Sequence, residues 1–191
     1  MYQTILSDAS VYRLLLKLDA DLAAEARAKG CVCGAKLHRA QYQRKPRGVP
    51  EELREDYSTR HSYCCAKEGC RKRATPPSFR FLSRRVYVGV VVVLLTALRH
   101  GATGARVAKL AAIVGVSRRT VERWRKWWLE EFTQSSFWRA AYGRLASPVD
   151  LETLPLSLLE CFAKPTDEEK TIDLLRFILP LTTMSTAMQE T

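Results

Sequence analysis

The chain has 191 residues, 47% of them hydrophobic, and a formal net charge of +11. That length has room for one or two small domains with real cores, and the apolar share excludes a chain that is disordered throughout. The charge favours a polyanionic partner, with nucleic acid first among the candidates.

The charge is not spread evenly. Residues 1–30 are neutral, 31–85 carry net +9, 86–134 net +5 and 135–191 net −3. Basic residues added only for solubility would not leave the ends neutral or acidic, so phosphate contacts are expected in the centre.

In chain order, residues 10–29 carry Val11, Leu14, Leu15, Leu18 and Leu22 at helical spacing and predict an amphipathic helix. Ser10 is placed to cap its start and Gly30 to end it. The opening MYQTILSDAS lacks a basic lead and a long apolar stretch, so no export signal is expected. Residues 31–77 are rich in Cys and Arg and punctuated by Gly and Pro. Short strands and loops are predicted there, closed by TPP at 75–77.

Five of the six cysteines fall between 31 and 70. In a reducing compartment, such clustering points to metal rather than disulfides. A four-thiolate zinc site needs two tight turns, each presenting two sulfurs to one tetrahedral ion. Cys31 and Cys33, followed by Gly34, supply one turn; Cys65 and Cys70, with Gly69 before the last ligand, supply the other. The 31 residues between Cys33 and Cys65 hold a hairpin and a loop, the outline of a zinc ribbon. The spacings, one and four residues, depart from the usual two. Cys64 is an alternative to Cys65, His38 is an alternative to Cys33, and His61 fits another register. With four protein ligands, the Zn2+ is structural and leaves no open position for catalysis. The competing reading is reduced, partly buried thiols without metal. Cys161 is assigned to packing. Inside the ribbon, QRKPRG at 43–48 sets Arg44, Lys45 and Arg47 on a short stiff loop, which either grips phosphates or a minor groove or is merely solvated.

Residues 84–134 predict three helical segments, separated by Gly101/Gly104 and by Gly115. The first, VYVGVVVVLLTAL at 86–98, is too short at thirteen residues to span a bilayer. Its valines favour a strand, but Tyr87, Val91, Leu94, Leu95 and Leu98 fit a helical stripe, and the following segments need a third helix to pack on. In ARVAKLAAIVGVSRRTVERWRKWW, 105–128, the pattern Ala111, Gly115, Val121, Trp124 has the internal spacing of a DNA-binding helix-turn-helix. Ser117 is placed as N-cap of a recognition helix running from 118 to about 132. Val121, Trp124, Trp128 and Phe132 form its inner stripe. Ser117, Arg118, Arg119, Glu122, Arg123 and Lys126 face outward. Arginine there can read guanine through two parallel hydrogen bonds and Glu122 can accept from cytosine, while Arg125 and Lys126 suit phosphate. The acidic end predicts helices near 155–163 and 167–179. Thr166 and Glu169 stand in capping-box spacing, Pro180 stops the second helix, and TTMSTAMQET follows as a loose tail.

GAKLHRAQYQRKPRG, then CCAKEGCRKRATPPSFRFLSRRVY, then the helix-turn-helix, resemble small bacterial zinc-ribbon plus helix-turn-helix proteins associated with insertion sequences, transposase-like DNA-binding proteins. The similarity covers roughly residues 30–135. It implies Cys31, Cys33, Cys65 and Cys70 as metal ligands, 105–128 as the DNA-binding segment, and a mobile-element connection.

The expected fold is mainly α with a small β zinc ribbon: a helix-turn-helix three-helix core plus N- and C-terminal helices. The expected divisions are an N-terminal helix (1–30), a zinc-ribbon-like domain (31–80), a helix-turn-helix domain (84–134) and an acidic helical extension (135–191), with TPPSFRFLSRR linking ribbon to helix-turn-helix. The expected function is sequence-specific binding of double-stranded DNA, as a transposition accessory or transcriptional regulator, in the cytoplasm at the nucleoid and without membrane contact. The C-terminal helices either cover the core or take a transposase or other protein; a homodimer is allowed. No enzyme is expected, because a nuclease core with about three carboxylates around two metals has no room here. The alternatives are an RNA- or ribosome-binding ribbon protein, the DNA-recognition fragment of a split transposase, and a protein-interaction adaptor.

Overall fold

The computed structural model describes residues 2–82, 88–101, 103–145 and 147–183. The expectations for 83–87 and for the tail from 184 onward lie outside these residues. The chain is mainly helical with a small antiparallel sheet.

The first long helix is α2 (Ala9–Lys29), preceded by α1 (Tyr2–Ser7). Its N-cap is Asp8, not Ser10: the Asp8 carboxylate accepts from the Ser10 amide at 2.8 Å, and the Ser10 hydroxyl, followed by this amide, holds its pKa below the usual value. Gly30 ends the helix, as expected. The buried face differs from the apolar stripe. Val11, Tyr12, Leu15, Asp19 and Ala23 point inward, while Leu14 is exposed and Leu18 and Leu22 are only partly covered. Apolar periodicity is blind to polar groups that are buried with partners, and Tyr12 and Asp19 are two such groups.

The cysteine-rich segment forms β1 (Leu37–Arg39), β2 (Tyr42–Gln43), β3 (Thr59–Arg60), β4 (Tyr63–Cys65) and β5 (Arg73–Ala74). The sheet runs β1-β4-β5 and β2 pairs with β3, all antiparallel. Between β2 and β3 lies a short helical insert ending in α3 (Arg54–Tyr57), where loops and strands alone were expected.

The valine run becomes α4 (Gly89–Gly101). Val90 to Val93, Leu94, Leu95, Ala97 and Leu98 are all buried, as is Thr96, so there is no stripe over 90–98: this part of the helix is enclosed on every side. It packs against α1, α5 (Gly104–Ile113), α6 (Arg118–Lys126), α8 (Leu156–Glu160) and α9 (Asp167–Phe177). A further helix, α7 (Ser136–Ala141), was not anticipated. Leu158, Leu159, Leu174 and Leu175 bury the inner faces of α8 and α9, so the acidic end covers the core. The Thr166/Glu169 capping box forms. Pro180 does not simply halt the chain, since it opens a 3-10 turn over Leu179–Thr182. No helix among the described residues is long and apolar enough to cross a membrane.

The segment expected to link the two halves is buried over 78–82. Arg80 donates to Asp19 at 2.8 Å with both side chains almost fully enclosed, and to the Asp56 and Thr59 carbonyls at 3.0 Å each. Asp19 also accepts from the Phe79 amide at 2.6 Å and from the Ser78 hydroxyl. Phe81 then bridges to Val88 at the entrance of α4. Removing one member of a buried, fully bonded pair strands the other charge, at a cost of about 3–5 kcal/mol. Asp19→Asn is therefore expected to lose about that much stability in urea unfolding; a loss under about 1 kcal/mol, the size of an exposed pair, would contradict the role assigned to this bond.

Candidate metal centre and nucleic-acid interface

Two turns carry the cysteines. In the first, the Gly34 amide donates to the Cys31 carbonyl at 2.8 Å and the Cys31 amide to the Ala35 carbonyl at 2.9 Å, so the chain folds back between the two thiols. In the second, the Cys70 amide donates to the Lys67 carbonyl at 3.2 Å, and the Lys67 amide to Cys65 Sγ at 3.3 Å. The β1–β4 ladder pairs Leu37 with Cys65 and brings the turns together. The four sulfurs of Cys31, Cys33, Cys65 and Cys70 lie within 4.8 Å of one another, with Cys31–Cys70 at 3.8 Å and Cys33–Cys65 at 3.5 Å. Tetrahedral zinc with bonds of about 2.3 Å requires sulfurs about 3.8 Å apart, so the four thiols fit a metal.

The alternates fall elsewhere. Cys64 and His38 face each other across β1 and β4, one pleat away from Cys65, and Cys64 donates to the Arg71 carbonyl. His61 is bonded to Gln41 at 3.2 Å. Cys161 sits at the end of α8, bonded to the Ser157 carbonyl. The Ala35 amide and the neighbouring thiols draw the Cys33 thiol down to about 6, while burial pushes Cys65 up to about 12. The apolar cluster here is small: Ala23, Cys31, Leu37, Tyr63 and Cys65. A segment with so little core gains most from a cross-link at its centre.

The helix-turn-helix is α5 and α6. Gly115 makes the turn at φ +65°, a left-handed backbone that costs a side chain about 1–2 kcal/mol. Ser117 caps α6 by accepting from the Thr120 amide at 3.3 Å. Val121, Trp124, Trp128 and Phe132 are buried as expected, and Val114 and Val116 are buried on either side of Gly115. The recognition helix is not α-helical throughout, because Trp127–Phe132 form a π-helical turn. Trp124, Trp128 and Phe132 recur every four residues. An α-helix of 3.6 residues per turn would rotate such a row off the core, and the wider π turn keeps it inward.

Outside, Ser117, Arg118, Arg119, Glu122, Arg123 and Lys126 are exposed. Arg118 pairs with Glu122 at 3.0 Å and Lys126 with Glu130 at 3.5 Å, so Glu122 is engaged by its own helix. Exposed pairs of this kind are worth about 0.3–0.5 kcal/mol and open readily.

Arg44, Lys45 and Arg47 sit on a loop that is tied down. The Arg44 guanidinium lies 4.4 Å over the Tyr42 ring. Gly48 has φ +84°, and a Cβ there would stand 2.9 Å from Val91 Cγ2 and 3.2 Å from Val114 Cβ. The Tyr12 hydroxyl donates toward the Gly48 carbonyl at 3.0 Å. The loop is thus packed on α4 and on the residue before the Gly115 turn. Sequence reading missed this contact; an isolated Gly after three cations was its only trace.

With this geometry in place, a family model described as Homeodomain-like domain matches residues 91–132, from α4 through α5 and α6 to the π turn. This stretch is a homeodomain-like helix-turn-helix. No curated protein and no solved structure matches the chain.

Gly48→Val is expected to part the loop from α4 and α5, lowering duplex-DNA affinity without abolishing metal content; affinity and metal unchanged would contradict the contact.

Proposed function

We propose that the chain is a sequence-specific, zinc-stabilised DNA-binding protein acting as a transposition accessory or transcriptional regulator. The carrying observation is the homeodomain-like match over a capped α6 that exposes Arg118, Arg119 and Arg123. Arginines at the start of a recognition helix meet base edges in the major groove, and those further along, with Lys126, meet phosphate. In this reading the four segments divide the work. Residues 84–134 read the duplex and 31–80 present Arg44, Lys45 and Arg47 beside them. Residues 1–30 and 135–191 cover the shared core, and the acidic C-terminal helices leave an outer surface for a transposase or another protein. The chain binds rather than catalyses, as a monomer or a homodimer at the nucleoid. The mobile-element setting is supported by the sequence resemblance, and zinc by the spacing of the four sulfurs.

Two measurements test this. Arg119→Ala or Arg123→Ala is expected to weaken binding to a selected duplex by about 1–3 kcal/mol while leaving random duplex nearly unchanged; equal loss on both contradicts base reading. Elemental analysis is expected to give one zinc per chain, lost in Cys33→Ser and Cys70→Ser and kept in Cys64→Ser and Cys161→Ser. Zinc retained without Cys33 and Cys70 contradicts the four-cysteine site.

A further inference from the structure

Between α2 and the ribbon sheet runs an open cleft of about 760 Å³. Its floor along α2 is alanine: Ala20, Ala23, Ala24 and Ala28. Its walls carry Arg27 and Lys29 from the end of α2, and Lys36 and Arg39 from the β1 side. No aspartate or glutamate lines it. Gln41 and His61, bonded to each other, also line it, and Gln41 immediately precedes Tyr42 of the Tyr42–Arg44 stack.

Cations without a carboxylate partner are common among the described residues; what sets the cleft apart is that four of them line one concavity with no acid among its walls. Arg54, Arg118, Lys126, Lys164 and Arg176 are exposed cations with carboxylate partners. Among the described residues, Arg27, Lys29, Lys36 and Arg39 have none. Four like charges around one concavity repel one another, and an anion placed among them relieves that repulsion. The small alanine floor lets a chain lie close to the cations. A cavity of this size takes a few nucleotides and not a turn of duplex.

We propose that this cleft is a second nucleic-acid site, which grips the phosphodiester backbone of a single strand. The phosphates lie against Arg27, Lys29, Lys36 and Arg39, and the strand leaves past Gln41 toward Arg44, Lys45 and Arg47. The site is distinct from α6. It reads charge and strand shape rather than base sequence, because its walls offer cations and few ring faces for stacking.

The test uses the full-length, metal-loaded protein with a mixed-sequence single-stranded oligonucleotide, once as DNA and once as RNA, and with poly-glutamate as competitor. The variant R27A/K29A/K36A/R39A is expected to bind the single strand at least about tenfold more weakly at low salt and to flatten the log–log salt slope by up to about 3. Retained preference for the selected duplex shows that this variant is folded. Arg39→Glu alone, at an exposed position, is expected to weaken single-strand binding in the same direction should the fourfold variant fail to fold. Arg119→Ala is expected to leave single-strand binding intact, so failure of the duplex reading and failure of the cleft are separable. The tighter of the DNA and RNA arms identifies the source of the strand. Unchanged single-strand affinity and slope in the variants overturns the proposal, as does displacement of the strand by poly-glutamate at equal charge concentration.

Discussion

The bond between Asp19 and Arg80 is the constraint on which the arrangement rests. Asp19 belongs to α2, Arg80 to the strap that enters α4, and the guanidinium also takes the carbonyls of Asp56 and Thr59 from the ribbon insert. One enclosed ion pair therefore ties the N-terminal helix, the cysteine-bearing segment and the helix-turn-helix to a common point. Such a pair adds little net stability over apolar packing of the same shape, but it tolerates few alternatives, because any other arrangement strands a charge. What it fixes here is geometry, namely how the cysteine-bearing segment sits against the helical core.

That geometry has a consequence for binding. The cysteine-bearing segment has only a small apolar cluster of its own, and the insert it carries is buried in the larger core through Val49, Leu53 and Tyr57. Tyr12 and Tyr57 meet edge to face at 5.9 Å, and the Tyr57 hydroxyl donates to the Tyr12 carbonyl at 2.9 Å. The loop bearing Arg44, Lys45 and Arg47 follows from the same packing, since Gly48 admits Val91 and Val114 where a side chain would exclude them. Basic residues far apart in sequence are thereby held on one body, with the cysteine turns on the separate β1-β4-β5 sheet.

Much of this was legible in the sequence, for identifiable reasons. The helix-turn-helix declared itself because Gly115, Ser117, Val121 and Trp124 each do a local job that few other residues do. The four cysteines were legible as a set, and the choice of Cys65 over Cys64 was not, because it depends on strand pleat: Cys65 pairs with Leu37 and Cys64 with His38. The α2 face was misjudged at Leu14 because Tyr12 and Asp19 take inward positions that apolar counting assigns to leucine. The valine run looked ambiguous between strand and stripe because a helix enclosed on all sides has no polar face to reveal its period. The cleft between α2 and β1 was hidden, since it exists only once two segments separated by seven residues fold against each other.

The account places sequence recognition on the outer face of α6. Selection of bound sequences from random duplex DNA, using the full chain with metal, tests that most directly. The account predicts one enriched motif a few base pairs wide, with its strongest positions lost when Arg119 is replaced. Enrichment no better than the starting pool would contradict it.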